Sequence, residues 1–162
     1  MKVLISDKMG EEGIDIFRNQ DGIEVDVFTG LSKDELLGII GNYDALAIRS
    51  ATQVTREVLE AATKLKVVAR AGIGLDNVDI DEATKKGVAI MNTPGGNTVT
   101  TAEHAIAMMM AMTRNIPRGT ASLKAGKWDK KMLQGREISN KVLGVIGFGN
   151  IGSIAAGLGK GL

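Results

Sequence analysis

The chain of 162 residues contains no cysteine, which excludes disulfide bonds and thiol chemistry and suits a reducing compartment. Its single histidine, His104, is the one side chain of the type most often used as a general base near neutral pH. Basic residues number 20 and acidic residues 19, and this balance gives no bulk attraction to nucleic acid or to an anionic membrane.

Long hydrophobic runs are also missing. The most apolar stretch, Ala105 to Met112, is far too short to cross a bilayer. At the N-terminus, only Val3, Leu4 and Ile5 separate Lys2 from polar residues, which is too few for the hydrophobic region of a signal peptide. We therefore expect a cytoplasmic protein that binds neither nucleic acid nor membranes, with 44% hydrophobic residues available for a core.

Short runs rich in valine, isoleucine and leucine alternate with helix-like segments over the first part of the chain. They predict strands at Lys2–Ser6, Ile23–Phe28, Ala45–Arg49, Lys66–Arg70 and Val88–Asn92. The segments between them have the length of crossover helices between parallel strands. This alternation predicts an α/β fold with an open, doubly wound parallel sheet.

Helix boundaries are marked by capping residues. Ser32 with Glu35, and Asp79 with Glu82, have the spacing of capping boxes. We also expect Thr55 to cap a helix over residues 56–63, and Gly87 to end a helix over residues 80–86. The positions of these four signals between the predicted strands support the same alternating fold.

The pattern changes after the turn residues that follow the fifth predicted strand. Thr100 precedes Glu103 by three positions, which predicts a capping box at the start of a long apolar helix over Ala102–Thr113. Pro117 should kink this helix or restart it. Residues 126–141 are polar and irregular, with Trp128 as their large apolar side chain, and we expect an arm or linker there.

Near the C-terminus, Val142–Gly147 is typical of a buried strand, and Gly147–Gly152 forms a G-x-G-x-x-G sequence ahead of a helix-like stretch. In dinucleotide-binding units, the first glycine permits a tight turn, the second lets backbone amides reach a pyrophosphate, and the third allows close helix packing. A second strand and a ribose-binding acidic residue should follow, and the sequence ends at Leu162 before either. The alternative is a glycine-rich turn without a ligand.

Three polar clusters follow neighbouring strands, at the edge where parallel α/β sheets bind ligands. They are Arg49-Ser50, Arg70 to Asn77, and Asn92 to Asn97. Two arginines lie beside glycine turns that have free backbone amides. This arrangement predicts a binding site for carboxylate or phosphate groups. The alternative is that both arginines are solvated charges at strand ends.

Other conspicuous side chains have structural explanations. His104 has no partner at metal or triad spacing, so we interpret it as a structural histidine and expect no metal site. The methionines between 108 and 112 are typical of core or interface packing. The lysines at 124, 127, 130 and 131 are interpreted as a solvated face, with a basic edge to a ligand cleft as the alternative.

The order of motifs resembles that of the D-isomer-specific 2-hydroxyacid dehydrogenases over the whole chain. It consists of RS, RAGIGLDNVD, NTPGGN, AEH with a helix ending in RNIP, GKW and KVLGVIGFGNIG. The resemblance implies a parallel flavodoxin/Rossmann-like substrate lobe over residues 1–97. It also implies the first part of a second, truncated Rossmann lobe over residues 98–162, comprising a bridging helix, the arm and the first βα unit, with an active site in the cleft between the lobes.

The resemblance also assigns residues to ligands. It implies that the substrate is bound by Arg49, Ser50, Arg70, Ala71, Gly72 and Lys130, with Lys130 offered to a neighbouring subunit. It implies that NAD is bound by Ile73, Gly147, Gly149, Asn150, Ile151 and Gly152. No catalytic residue is assigned, because the arginine, glutamate and histidine of the family come from a later part of the cofactor lobe, and His104 does not match that histidine.

Within the family, the sequence is most similar to members that oxidise 3-phosphoglycerate to 3-phosphohydroxypyruvate in serine biosynthesis. The resemblance therefore implies a small phosphorylated 2-hydroxy acid as substrate, NAD as cofactor and a homodimer or larger homo-oligomer. We expect the chain to be an inactive N-terminal piece of the whole enzyme. The alternatives are another member, such as a glyoxylate/hydroxypyruvate reductase, and a non-catalytic fragment that binds a ligand or oligomerises.

Overall fold

The structure is a computed structural model that describes residues 1–162. The chain divides into two compact units, Met1–Gly96 and Asn97–Leu162, which are described separately. No helix in either unit combines the length and hydrophobicity needed to cross a membrane.

Unit 1 is a five-stranded parallel sheet with helices between the strands. Its strands are β1 (Lys2–Ile5), β2 (Glu24–Val27), β3 (Ala45–Ile48), β4 (Val67–Arg70) and β5 (Ala89–Met91). Its helices are α1 (Glu11–Arg18), α2 (Lys33–Ile39), α3 (Arg56–Ala61) and α4 (Ile80–Lys85), with a 3-10 turn at Ile40–Asn42. The strand order is β2-β1-β3-β4-β5 with every pair parallel, which confirms the predicted doubly wound fold.

The core of unit 1 lies on both faces of this sheet. Leu4 and Val68 belong to one buried cluster, whereas Val3 and Ile5 belong to the other. Successive residues of a strand point to opposite faces, so a strand covered on both sides needs apolar residues at consecutive positions. That requirement explains why the strands could be predicted as short continuous apolar runs.

The helix signals of unit 1 are mostly confirmed. Ser32 and Glu35 form a complete capping box, and the Asp79 carboxylate accepts a hydrogen bond from the Glu82 amide at 3.0 Å. Gly87 follows the end of α4 with a φ of 69°, the left-handed conformation that glycine tolerates. Thr55 occupies the cap position of α3, but its side chain makes no capping hydrogen bond, so that part of the prediction is wrong.

Unit 2 contains three helices, α5 (Thr98–Thr113), α6 (Ile116–Lys124) and α7 (Asn150–Gly159), and α7 packs against α5. The predicted capping box at Thr100 is wrong, because α5 begins at Thr98 and Thr100 lies inside it. Thr98 and Ala102 are one turn apart and both are buried. Burial of this additional turn, together with a hydrogen bond from Thr101 N–H to the Asn97 carbonyl at 2.9 Å, extends the helix past the local capping signal.

The predicted restart at Pro117 is confirmed. Helix α5 ends at Thr113, Asn115 adopts a left-handed conformation with a φ of 53°, and Pro117 lies in the first turn of α6. A proline is accepted there because the first amides of a helix have no intrahelical acceptor. Residues 126–141 contain no helix or strand, as expected for an arm.

The predicted buried strand at Val142–Gly147 is wrong. The segment pairs with no strand, and the side chains of Val142 and Ile146 are fully exposed. A strand is completed by hydrogen bonds to a neighbouring strand, and unit 2 contains no other strand that could supply them. An apolar sequence alone therefore does not form a buried strand here.

Candidate functional site

The strand order of unit 1 locates a ligand-binding edge. In this order the chain reverses its direction of travel between β1 and β3, and such switch points open a crevice outside the carboxyl ends of the strands. Ser6 and Asp7 directly follow β1, and Arg49 and Ser50 directly follow β3. Arg70 ends β4 beside them, so the first two predicted clusters lie at this switch point.

A buried carboxylate organises the loop after β3. Asp7 Oδ2 accepts the backbone N–H groups of Arg49 at 2.6 Å and Ala51 at 3.2 Å. Its Oδ1 accepts the Thr52 N–H at 3.1 Å and the Thr52 hydroxyl at 2.7 Å. Burial raises the pKa of Asp7, but the bonds from Thr52, Arg49 and Ala51 outweigh it and hold the pKa below the ordinary value. The carboxylate is therefore ionised at neutral pH.

Asn77 holds the same loop through its carbonyl groups. Its Nδ2 donates to the carbonyl oxygens of Arg49 at 2.9 Å and Thr52 at 2.7 Å. Both acceptors are carbonyl oxygens, so this orientation of the amide is the one that the hydrogen bonds require. The Asn77 Oδ1 atom is buried and has no hydrogen-bond partner.

The two predicted anion-binding arginines have different environments. Arg49 is exposed, and its guanidinium donates only to the Lys8 carbonyl at 3.2 Å. The Arg70 side chain is only 12% exposed; its Nε donates to the Arg49 carbonyl at 3.1 Å, and its Nη1 donates to the Gly74 carbonyl. The interpretation of Arg70 as a solvated charge is therefore wrong, whereas Arg49 does extend into solvent.

The glycine loop after β4 is shaped around this arginine. A Cβ atom on Gly74 would lie 3.0 Å from Arg70 Nη1 and 2.9 Å from a carboxylate oxygen of Asp76. Asp76 Oδ1 also forms an ion pair with Arg70 Nη1 at 3.6 Å, although the Asp76 side chain is highly exposed. Glycine at 74 lets the main chain approach the guanidinium, so one role of this motif is to enclose Arg70.

Two residues of this loop that were predicted to bind substrate donate their backbone amides to carbonyl groups of the protein. The Ala71 N–H donates to the Ile48 carbonyl at 2.8 Å, and the Gly72 N–H donates to the Arg70 carbonyl at 2.9 Å. Ala71 and Gly72 can therefore line a pocket, but they offer no free amide to an anion.

The third predicted cluster is tied to the second. Asn92 Nδ2 donates to the Ile73 carbonyl at 2.8 Å, and the Thr93 N–H donates to the Gly72 carbonyl at 2.9 Å. Since Asn77 links the second cluster to Arg49, all three clusters are joined by hydrogen bonds. The prediction that they meet at one edge of the sheet is confirmed.

Unit 2 carries the predicted cofactor residues other than Ile73, which lies in the loop after β4 of unit 1. Gly147 has a φ of 90°, which favours glycine, and Gly149 is the cap residue of α7. A Cβ atom on Gly152 would collide with the Gly147 carbonyl oxygen. Asn150 and Ile151 form the first turn of the helix. The bare turn and the helix N-terminus fit a pyrophosphate group, which such termini bind through free amides and the helix dipole.

Lys130 and His104 are both exposed in unit 2. Lys130 lies in a turn just after Trp128 and makes no ion pair. It lines an open groove together with Arg114, Lys131 and other residues of the arm. The side chain of His104 makes no hydrogen bond that would orient it as a base.

Sequence reasoning missed Asp7 and Thr52 as parts of the candidate site, and it included Asn77 in the second cluster without identifying its role. Asp7 had a signal similar to that of Arg49, because both are charged residues within two positions of the end of a strand. Asn77 belongs to the RAGIGLDNVD motif, but its partners lie in a different loop, so only the fold identifies its role.

Comparisons with known proteins extend these observations. The sequence profile of the family described as "D-isomer specific 2-hydroxyacid dehydrogenase, catalytic domain" matches residues 3–150. The chain is 47% identical to D-3-phosphoglycerate dehydrogenase from Synechocystis over 99% of its length, and 49% identical to the enzyme of that name from Archaeoglobus fulgidus over 94%. It spans only 29% of each of these relatives. It is also 47% identical to hydroxypyruvate reductase from Thermotoga maritima, covering 96% of this chain and 50% of that protein.

Solved structures share the fold. A protein from Thermus thermophilus superposes with a TM-score of 0.91 and 31% identity, covering 99% of this chain and 53% of that one. An NAD-dependent formate dehydrogenase from Staphylococcus aureus, crystallised with NAD, superposes with a TM-score of 0.88 and 26% identity, covering 98% of this chain and 53% of that one. Because the family profile matches most of its length, this chain belongs to the D-isomer-specific 2-hydroxyacid dehydrogenases.

Proposed function

We propose that this chain is the N-terminal part of an NAD-dependent dehydrogenase that oxidises 3-phosphoglycerate to 3-phosphohydroxypyruvate in serine biosynthesis. The observation that carries the proposal is the identity of 47–49% with phosphoglycerate dehydrogenases over nearly all of the chain. In this proposal residues 1–97 form the substrate-binding lobe, and the cofactor lobe begins at residue 98.

The polar edge of unit 1 supports an anionic substrate. The exposed guanidinium of Arg49 is available to a carboxylate or phosphate group, and Ser50 beside it is also exposed. Arg70 holds the loop that contains Ala71 and Gly72 through its own hydrogen bonds, so it shapes the pocket as well as contributing positive charge. In the proposed assembly, Lys130 adds a further cation to the pocket of a neighbouring subunit.

The glycine turn supports a nicotinamide cofactor. NAD accepts the hydride removed from the substrate carbon. Gly147 and Gly149 leave the turn free of side chains, and the first turn of α7 supplies amides for the pyrophosphate.

We place the acid–base chemistry in the part of the relatives that this chain does not cover. His104 is exposed and has no orienting partner, so it lacks the positioned hydrogen bond of a general base. The arginine, glutamate and histidine of the active site are expected downstream of Leu162. Sequencing the gene past codon 162 is the direct check, and an open reading frame without these three residues would contradict the proposal.

A second candidate is hydroxypyruvate reductase, favoured by the 47% identity with the Thermotoga enzyme over 96% of the chain. The two functions differ in the phosphate group of the substrate. We expect the whole enzyme to oxidise 3-phosphoglycerate with NAD and to reduce hydroxypyruvate or glyoxylate poorly. Higher kcat/KM for the unphosphorylated acids would identify the second candidate instead.

We also propose a cytoplasmic homo-oligomer. Met108 and Met112 of α5 are 59% and 73% exposed, and Trp128 of the arm is 79% exposed. Apolar surface of this kind is typical of protein interfaces. Light scattering of the purified protein should show a dimer or larger assembly, and a monomer at high protein concentration would contradict this part of the proposal.

A further inference from the structure

Asp7 is a charged residue that is 5% exposed and lies at the switch point of the sheet. It has no cationic partner, and its carboxylate is instead bound by three amides and one hydroxyl of the loop after β3. Hydrogen bonds to an ionised acceptor are stronger than those between neutral groups. Asp7 therefore compensates its own burial entirely with donors from this one loop.

Ser50 is the residue of this loop that Asp7 does not bind. The carboxylate takes the amides of Arg49, Ala51 and Thr52, whereas the Ser50 N–H and hydroxyl make no hydrogen bond within the protein. Ser50 is also exposed. The loop thus turns three amides inward and leaves one amide and one hydroxyl available at its outer side.

The carbonyl side of the same loop is fixed independently. Asn77 binds the carbonyl oxygens of Arg49 and Thr52, and Arg70 also binds the carbonyl of Arg49. With amides held on one side and carbonyls on the other, the loop has little freedom to rotate its peptide groups. This arrangement is the kind of support that keeps a binding group in place before its ligand arrives.

We propose that Asp7 is a positioning residue for the substrate anion: it fixes the Arg49–Thr52 loop so that the Ser50 N–H and hydroxyl, beside Arg49, are presented to the substrate. This inference rests on the proposed function and deepens it. Asp7 does not itself touch the substrate. Because its charge is already occupied by four donors, it organises the anion site without strongly repelling an anionic ligand.

Steady-state kinetics of the whole enzyme test the proposal with Asp7→Asn. This variant keeps the size of the side chain but places an amide donor against backbone amides. We expect the KM for the hydroxy acid to rise about tenfold, with kcat and the KM for NAD changing less than about threefold, because the loop positions substrate and does not take part in hydride transfer.

Asp44→Asn is the matched control. Asp44 also accepts a backbone amide, from Lys2 at 2.8 Å, and a side-chain donor, Lys66 Nζ at 3.0 Å, but it precedes β3 and lies at the opposite end of the sheet. We expect Asp44→Asn to lower the Tm without changing the KM of the substrate. A KM change of equal size in both variants would show that Asp7 acts only through general stability.

Thr52→Val provides a milder variant that keeps the Asp7 carboxylate. It removes the 2.7 Å hydroxyl bond to Asp7 and the 2.8 Å bond between the Thr52 and Ser6 hydroxyls, and it leaves the three amide bonds to Asp7 intact. We expect the KM to rise about threefold. If Asp7→Asn does not fold, an unchanged KM in Thr52→Val overturns the proposal. An unchanged KM in a folded Asp7→Asn enzyme overturns it directly.

The proposed function and the role of Asp7 fail in different ways. The wild-type enzyme is assayed first with 3-phosphoglycerate, hydroxypyruvate and glyoxylate. If it acts on none of them, the proposed function is wrong and the role of Asp7 falls with it. If it prefers 3-phosphoglycerate while the Asp7→Asn enzyme retains the wild-type KM, only the role of Asp7 is wrong. If it prefers hydroxypyruvate or glyoxylate, the second candidate function is correct, and the KM of Asp7→Asn for that acid tests the role of Asp7 separately.

Discussion

Gly152 lies so close to Gly147 that a Cβ atom at position 152 would collide with the Gly147 carbonyl oxygen. The contact joins the first turn of α7 to the glycine turn before it, and it is the close packing that the third glycine of the motif was expected to permit. No other residue can replace Gly152 without moving one of these two segments.

Gly152→Ala should therefore destabilise this region. Forcing a methyl group into a packed contact costs about 1–3 kcal/mol, measurable as a lower free energy of unfolding in urea. Gly157→Ala is the control within α7, since a Cβ atom there meets nothing within 4 Å. The control should stabilise the helix by up to about 1 kcal/mol. Equal stability of the two variants would contradict the contact.

Tyr43 is the only tyrosine and should titrate unusually late. Burial, followed by its hydrogen bond to Asp26 at 2.8 Å, raises the pKa of Tyr43 to about 12. Tyrosinate absorbance of the folded chain should therefore rise near pH 12, and near the ordinary value of 10.0 after unfolding in denaturant.

The same shift makes stability depend on alkaline pH. The folded state holds the Tyr43 proton more tightly than the unfolded state does. The protonated side chain therefore makes its full contribution to the free energy of unfolding below pH 10, and this contribution is lost as the pH rises toward 12. Tyr43→Phe should flatten the fall in the free energy of unfolding over this range. A tyrosine that titrates at its ordinary pKa in the folded chain would contradict both the burial of Tyr43 and its contact with Asp26.

Arg49 and Arg70 should differ when replaced by alanine in the whole enzyme. We propose that both arginines position the substrate and do not react with it, so both variants should raise the KM of the substrate more than they lower kcat. Arg70→Ala should also lower the Tm, since it removes the hydrogen bonds to the Arg49 and Gly74 carbonyls, whereas Arg49→Ala should not. Unchanged KM and kcat in both variants would contradict substrate binding by either arginine.

The isolated 162-residue chain should show no measurable dehydrogenase activity and bind NAD no more tightly than the millimolar range. Its glycine turn and α7 fit a pyrophosphate group, but unit 2 contains no strand of a cofactor unit, and the chain provides neither a matching ribose carboxylate nor an oriented base. NADH formation from 3-phosphoglycerate and calorimetry with NAD are the two measurements. Turnover or micromolar NAD affinity would contradict the expectation.

The local elements of unit 1 could be predicted because their signals are local. A strand covered on both faces requires a continuous apolar run, and a capping box such as Ser32 with Glu35 is satisfied within four residues. The glycine turn could be predicted for the same reason. Gly147 adopts a positive φ that favours glycine, and Gly152 packs against Gly147 without room for a side chain, so both requirements arise within the turn itself.

Two of the predictions that failed depended on the tertiary surroundings of the segment. Val142–Gly147 has the composition of a buried strand, but no neighbouring strand is present to complete its hydrogen bonds. Thr100 and Glu103 have the spacing of a capping box, but Thr98 and Ala102 are buried and α5 begins at Thr98, two residues before Thr100. In both cases the tertiary surroundings of the segment outweighed the local sequence pattern.

The sequence by itself determined the alternating α/β pattern, the family and the glycine turn, because each depends on residues adjacent along the chain. Only the tertiary structure decided that Arg70 is enclosed by its own loop. It also decided that Asp7 and Asn77 hold the loop that contains Ser50 through hydrogen bonds. The hydrogen bonds that Asp7, Asn77 and Arg70 make to the loop after β3 join residues more than 20 positions apart. They depend on the strand order, which places the ends of β1, β3 and β4 side by side.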